Sequence, residues 1–322
     1  MRWLVILVAA LATLWSGYWF VGRGALRDGI ASAVAAAEAR GWRIAWDDIG
    51  IGGFPNRFDT TLTEPDVTVP DGTLRWHAPF LQVLALSYRP NEIIAVAPRR
   101  MTFAAPWGDA VVTSADLRAS GTVSLAASPN LQHGTVVGEA LGIDGGAWRL
   151  DIARAQLAAR QAGTPDAWDL ALDGDGIRAG GTLAAALDPA GALPEVVDSL
   201  DLDATWVPDG AGHAVDLRRA ALVWGALALD ATGALEVGAD GVPEGTLSLE
   251  LRGTEAALEL LRGWQVVPEA RMPLIEAGLA GMTAGDGSVR FDLVLADGRM
   301  RLGPIPLGPA PRLPPPSAPP LP

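Results

Sequence analysis

The chain has 322 residues and a formal net charge of −13, from 24 basic and 37 acidic side chains. This length suffices for one large domain or two smaller ones. The acidic balance argues against a nucleic-acid partner, because binding to phosphates needs a basic surface. Cysteine is absent, which excludes disulfides and thiolate chemistry.

The N-terminal segment is the strongest single feature. Residues 3–21 are uncharged and follow Arg2; as a helix they would be about 28 Å long, close to a hydrocarbon core of roughly 30 Å. Trp15, Tyr18 and Trp19 lie near the end of this run, and such aromatics favour the membrane–water interface. The run exceeds the apolar core of a cleaved signal, and no convincing small-x-small site follows it. We predict an uncleaved transmembrane anchor over residues 1–23, with cleaved export as the alternative.

Residues 24–41 predict a juxtamembrane helix, since apolar side chains recur at helical spacing and Gly41 is suited to end it. This helix would continue from the anchor and pack on the segment that follows. The prediction places the first strand, with Trp42 and Trp46, nearest the membrane. Arg2 and the free amine precede the span, and Arg23 and Arg27 follow it, so the positive charges leave the orientation nearly balanced; we expect the N-terminus inside and the body outside.

From residue 42 to 303 the apolar pattern changes to strict alternation, which is typical of antiparallel strands with one dry face and one wet face. The predicted fold is mainly β with a few helices: a long curled antiparallel sheet, groove-like or an open barrel, of roughly 14 to 18 strands. The residues that we predict to line a groove on the dry face are Trp42, Trp46, Trp148, Leu150, Leu202, Trp206, Leu249, Phe291 and Leu293.

Asp-Gly pairs predict the connections between these strands, because this dipeptide is the strongest short hairpin signal. They begin at residues 71, 144, 173, 175, 209, 240, 286 and 297. Short turns between successive strands indicate a meander. The tandem pairs at 173–176 superficially resemble a calcium loop but lack its remaining ligands. We interpret them as two consecutive hairpin turns.

Four segments interrupt or end the strand pattern. Residues 254–264 and 272–282 predict short helices, which together form a helical insert in the sheet. A short helical turn is expected within 193–199. The proline-rich stretch 304–322 predicts an extended tail that is disordered or spans the cell wall, because proline cannot donate to a strand ladder.

The search for catalytic or metal-binding patterns finds little. His77, His133 and His213 lie in separate contexts without metal-ligand spacing. No phosphate-binding loop or nucleophile elbow is present in the sequence. Asp201 and Asp203 share a strand face and could act as an acid and base pair, although a chance pair is the simpler explanation on an acidic sheet face. We therefore predict no enzyme activity, no cofactor and no metal.

Several stretches resemble a known family in combination. They are GGFPNRFD at residues 52–59, WHAP at 76–79 with LSYRPNEII at 86–94, and DGR at 297–299 with LGPIPLG at 302–308. Together they resemble an uncharacterised bacterial family of membrane-anchored envelope proteins, classed as a domain of unknown function. The layout is also similar to that of the AsmA-like group, which implies an inner-membrane anchor, a periplasmic β-rich body and phospholipid traffic through a hydrophobic groove. The resemblance supplies no catalytic residues.

Two functions follow from these patterns. The first is a non-enzymatic, membrane-anchored periplasmic protein of the cell envelope that binds lipid, or assists envelope assembly, through a hydrophobic β-groove. A dry face rich in tryptophan suits acyl chains, because indole rings supply apolar surface. The alternative is a structural or scaffold protein whose dry face is closed as a core and which acts through protein partners.

Overall fold

The computed structural model describes residues 1–106, 108–124, 130–164, 166–210, 212–265, 267–302 and 305–313. Within them the helices are α1 (Arg2–Glu38), α2 (Thr182–Leu187), α3 (Thr254–Trp264) and α4 (Met272–Met282), with a 3-10 turn at Glu269–Arg271. α1 is continuous because its alanine-rich second half favours helix as strongly as the apolar first half. No break therefore separates the predicted anchor from the predicted juxtamembrane helix.

Twenty strands make up the rest of the described fold. In chain order they are β1 (Arg43–Ala45), β2 (Asp48–Gly52), β3 (Arg57–Thr63), β4 (Asp66–Thr68), β5 (Arg75–His77), β6 (Phe80–Leu86), β7 (Arg89–Val96), β8 (Arg100–Ala105), β9 (Gly108–Thr113), β10 (Asp116–Val123), β11 (Leu131–Asp144), β12 (Trp148–Gln161), β13 (Trp168–Gly181), β14 (Val196–Asp209), β15 (Gly212–Trp224), β16 (Leu227–Val237), β17 (Pro243–Arg252), β18 (Val289–Ala296), β19 (Arg299–Leu302) and β20 (Ile305–Pro309).

The strands form one open antiparallel meander, which confirms the predicted fold class. From β11 to β20 each strand pairs with the next one in the chain. Before β11 the strands form two side-by-side series of antiparallel pairs. One series is β2–β3–β6–β7–β10 and the other is β1–β4–β5–β8–β9, and the last strand of each series pairs with β11. Each pair of short strands, such as β1 and β2, is one long strand with a brief interruption. Counted this way, about fifteen strands cross the sheet, within the predicted range.

The interruptions line up across neighbouring strands and form a crease, at residues 46–47, 64–65, 78–79, 97–99 and 114–115. Backbone hydrogen bonds still cross it, for example from Glu64 N to Pro79 O at 3.0 Å. Prolines are tolerated here because a crease residue need not donate to the ladder. Ala140 and Gly176, with φ of 49° and 61°, continue the crease into β11 and β13.

The crease shifts the side-chain alternation by one residue. A Cβ atom at Gly138 would lie 2.7 Å from Leu141, and one at Gly174 would lie 3.3 Å from Ile177. Residues three apart in a regular strand point to opposite faces, whereas these pairs share a face. The apolar residues on both sides of the crease therefore stay on one face of the sheet.

Three local predictions are wrong. The Asp-Gly pairs at 173–176 lie inside β13 rather than in two hairpins, because Gly174 leaves room for Ile177 and Gly176 adopts the left-handed conformation of the crease. The expected helical turn within 193–199 is replaced by a loop and the start of β14, and the short helix in this region is α2. The sheet also continues into the predicted tail, since β20 pairs with β19; residues 303–304 and 314–322 lie outside the described part of the chain.

Candidate functional site

One face of the sheet, which we call the dry face, carries an apolar row that is continuous in register. Strand by strand the row is Ile51, Thr60, Val83, Ala95, Ala119, Val136, Leu157, Leu172, Leu202, Ala220, Ala231, Leu249 and Phe291. Only Thr60 carries a polar side-chain atom. With about 4.8 Å between strands, the row is about 58 Å long across the sheet.

A second row lies beside the first and carries no polar side chain. It consists of Phe58, Ala85, Ile93, Gly121, Gly134, Ala159, Leu170, Ala204, Leu217, Gly233, Leu247 and Leu293. The middle of this row consists of small residues, including the paired Gly121 of β10 and Gly134 of β11. Few side-chain atoms therefore protrude from the centre of the dry face. The two rows together form a wide apolar strip, which is the chemistry that an acyl chain requires.

The structure places four of the nine predicted lining residues on this strip and a fifth in the row beside it. Leu202, Leu249 and Phe291 belong to the first row and Leu293 to the second, while Trp206 pairs with Trp168 and Val215 in the next row. Beyond the crease, Leu150 pairs with Ile143 and Ala179, and Trp148 pairs with Gly181. Trp42 and Trp46 flank β1 at the first edge of the sheet. All nine are half-buried, and their role as lining residues stays a prediction.

Helices cover both ends of the strip but leave its middle accessible. At the first edge, Trp19 of α1 packs on Ile51 and Phe58. At the other end, α3 and α4 cover β16 to β18, and Phe291 contacts the clusters under both helices. Between these covers, Val136 is 38% exposed and Leu157 is 50% exposed. The prediction of lining residues omitted both. Val136 is next to another valine and Leu157 is surrounded by alanines, so the alternation of apolar and polar residues is hard to detect at these positions.

The opposite, wet face carries a network of ion pairs that includes Asp203. Arg218, at a bulge in β15, bonds to Asp203, Asp169 and Thr205. Hydrogen bonds from Arg160, Arg218 and Thr205 hold the pKa of Asp169 well below its usual range. Arg218 likewise lowers the pKa of Asp203. A carboxylate held in its charged form by a guanidinium is suited to structure rather than to proton transfer.

The three histidines also lie apart. His77 contacts Glu64 at 3.2 Å, His133 contacts Thr122 at 3.3 Å, and His213 is buried with its ring 6.0 Å from that of Trp206. In the described ranges no group of three or more His, Cys, Asp or Glu side chains is arranged to hold a metal ion.

The GGFPNRFD stretch contains a turn that accepts hydrogen bonds from tryptophan side chains of α1. Trp15 Nε1 donates to Asn56 Oδ1 at 3.2 Å, and Trp19 Nε1 donates to the Arg57 carbonyl oxygen at 2.7 Å. Gly53 has a φ of 91°, and a Cβ atom there would lie 2.7 Å from that same carbonyl oxygen. From the next turn the Ser87 carbonyl oxygen accepts a hydrogen bond from Tyr18 Oη at 2.5 Å. The aromatics predicted for the membrane interface therefore also anchor the sheet to α1.

This docking fixes the orientation of the sheet along the helix. From Trp19 to Glu38, α1 runs about 28 Å away from its apolar N-terminal half. Trp42 and Trp46 follow that distal end, so they lie far from the apolar half of α1; their place relative to a membrane stays a prediction. The strand ends nearest the apolar half of α1 are those of β2, β3 and β6. The sequence analysis did not predict this docking, because it depends on long-range contacts that alternation does not reveal and on a helix that continues past residue 23.

The fold and this surface define a class: a mainly β protein in which an open antiparallel sheet, apolar on one face, is fixed to one long N-terminal helix. That helix is long and apolar enough to cross a membrane. A family model described as "Uncharacterized protein conserved in bacteria (DUF2125)" matches residues 19–311, and the chain belongs to this family. The resemblance to an uncharacterised bacterial family is thus confirmed, while the likeness to the AsmA-like group stays a prediction. No curated protein matches the chain.

Proposed function

We propose that this protein is a non-enzymatic, membrane-anchored component of the bacterial cell envelope that binds lipid acyl chains on the dry face of its sheet. In this proposal α1 crosses the inner membrane with its N-terminus inside, and the sheet lies in the periplasm. The observation that carries the proposal is the apolar strip itself, which stays in register over thirteen strands and remains accessible at its centre.

The energetics favour an acyl chain on such a strip. Each methylene group that leaves water contributes about 0.8 kcal/mol, so ten methylenes would contribute about 8 kcal/mol before the costs of ordering the chain. The second row lacks polar side chains that would have to be desolvated. Val136 and Leu157 are exposed within this continuous apolar strip, and such apolar patches mark candidate binding surfaces. In this proposal a bound hydrophobic ligand covers the middle of the apolar strip, because α1, α3 and α4 cover only its two ends.

The lipids that copurify with the detergent-extracted full-length protein test this proposal by mass spectrometry. In the test variant, Val136→Glu and Leu157→Glu place two charges at the centre of the strip. In the control variant, Ile94→Glu and Val223→Glu make the same changes on the wet face, where these residues are 46% and 37% exposed. Test and control positions are thus closely matched in exposure.

We expect the wild type and the control variant to retain phospholipid and the test variant to lose most of it. Circular dichroism spectra of all three proteins would establish that the sheet is intact. If the wild type carries no more lipid than a β-sandwich protein prepared in the same detergent, the lipid proposal is wrong. Equal loss from both variants would contradict the assignment of the site to the dry face. Saturation of the face by a copurifying protein instead would favour the scaffold alternative.

A further inference from the structure

The part of α1 that is free of the sheet is too short to cross a bilayer by itself. The side chains of residues 3–14 are exposed, and the first hydrogen bond to the sheet comes from Trp15. Twelve helical residues extend about 18 Å, against a hydrocarbon core of roughly 30 Å. A span must therefore also use the residues from Trp15 to Val21, which are the ones that carry the sheet.

The side of α1 that faces away from the sheet between Trp15 and Val21 is apolar enough to contact lipid. Phe20 and Val21 are exposed on α1 although the neighbouring Trp19 is buried against the sheet. Two turns of the sheet, residues 53–56 and 87–89, bond to α1, and we call them the docking turns. The apolar surface of residues 3–14 is thus continuous with the surface of α1 beside these docking turns. Because α1 is a single helix, the turns bonded to Trp15, Tyr18 and Trp19 lie at the depth of those residues.

Both docking turns present an exposed aromatic side chain. Phe54 is 53% exposed, and its ring lies 5.4 Å from that of Trp19 and 5.9 Å from that of Phe20. Tyr88 is 59% exposed and follows Ser87, the residue that accepts the Tyr18 hydrogen bond. Aromatic side chains are enriched at the headgroup level of membranes, where one end of the ring is apolar and the other is wet.

We infer that the tip formed by residues 53–56 and 87–89 is a membrane-contact surface that inserts into the headgroup layer of the bilayer crossed by α1. This inference rests on the membrane anchoring in the proposed function and is independent of lipid binding by the dry face. The second apolar row begins beside this tip with Phe58 and Ala85. The end of the dry face that α1 covers therefore lies at the level of the lipids rather than at a distance from them.

The absence of cysteine from the chain allows a site-specific test. Single cysteines replace Leu7, Phe54, Tyr88 or Ala36 in the full chain, and each carries a nitroxide label. The proteins are reconstituted in vesicles of equal parts phosphatidylethanolamine and phosphatidylglycerol. The measurement is the ratio of collisions with oxygen, which concentrates in the bilayer, to collisions with a water-soluble nickel chelate. Ala36 is the matched aqueous control, because it is exposed on the same helix.

We expect the highest ratio at Leu7 and ratios at positions 54 and 88 that exceed the ratio at Ala36 several-fold. If Leu7 is lipid-exposed while positions 54 and 88 match Ala36, the membrane-contact surface is refuted and the anchor stands. If Leu7 is itself in water, the anchor and the contact surface are both refuted. Tyr88 gives a second position should the Phe54→Cys change disturb its turn.

Discussion

Trp19→Ala should detach α1 from the sheet while leaving the meander folded. Trp19 is 3% exposed and packs on Ile51 and Phe58, and its Nε1 donates to the Arg57 carbonyl oxygen at 2.7 Å. A buried tryptophan contributes 150–250 Å² of surface, or about 4–6 kcal/mol at 25 cal/mol per Å². Measured costs of about 3–5 kcal/mol for Trp→Ala, plus about 1 kcal/mol for the hydrogen bond, lead to the same range.

Hydrogen exchange with mass spectrometry, on the full chain in detergent, measures this effect locally. We expect the protection of amides in residues 53–57 to fall by about 4 kcal/mol in Trp19→Ala, up to the limit set by global unfolding. Trp19→Phe keeps an aromatic ring but removes the donor, so a loss of about 1–2 kcal/mol is expected. Amides of β12 and β13 should be unaffected in both variants.

Trp264→Phe is the matched control, since Trp264 Nε1 also donates to backbone carbonyls, those of Ala186 and Leu187, far from α1 in the chain. This change should leave residues 53–57 as protected as in the wild type. Unchanged protection of that turn in Trp19→Ala would refute the conclusion that this tryptophan holds α1 on the sheet.

Two further predictions concern the sheet. Gly138→Ala places a methyl group 2.7 Å from Leu141 and should cost about 1–3 kcal/mol in urea unfolding; adding Leu141→Ala should restore part of this loss, and no restoration would contradict the shared face at the crease. The pKa of Asp169 is lowered by Arg160 and Arg218, so the unfolded chain binds protons at a higher pH than the folded chain. The resulting stability is present above about pH 4 and is lost as the pH falls below it. Because these ion pairs are exposed, the effect should be no more than about 1 kcal/mol, and Asp169→Asn should remove this part of the dependence in urea titrations at each pH.

The sequence predicted the regular features of the fold well, because they follow from short-range patterns. Alternation around Leu249 and Phe291 identified both the strands and their dry side, and α3 and α4 match the two predicted short helices. Asp-Gly turns at Asp144, Asp209 and Asp240 indeed connect consecutive strands. In each case the deciding information lies within a few residues.

The errors arise where a local signal has two structural outcomes. Glycines next to Asp173 and Asp175 suit a tight turn, but they equally suit the crease, where space and a left-handed conformation are needed inside a strand. The docking of α1 depends on residues far apart in sequence, such as Tyr18 and Ser87, so alternation and helical spacing carry no information about it. A proline-rich stretch can still form β20, because an edge strand tolerates missing donors.

The meander is also modular. Each strand, counted across the crease, pairs only with its neighbours in the chain, so its stability approximates a sum of adjacent pairs, as in solenoid repeats. Insertion of one hairpin would preserve the direction of every later strand and the side that its apolar residues occupy. Evolution could therefore lengthen or shorten this surface in steps of two strands, about 10 Å each, while the docking of α1 at one end and the helical cover at the other stayed unchanged.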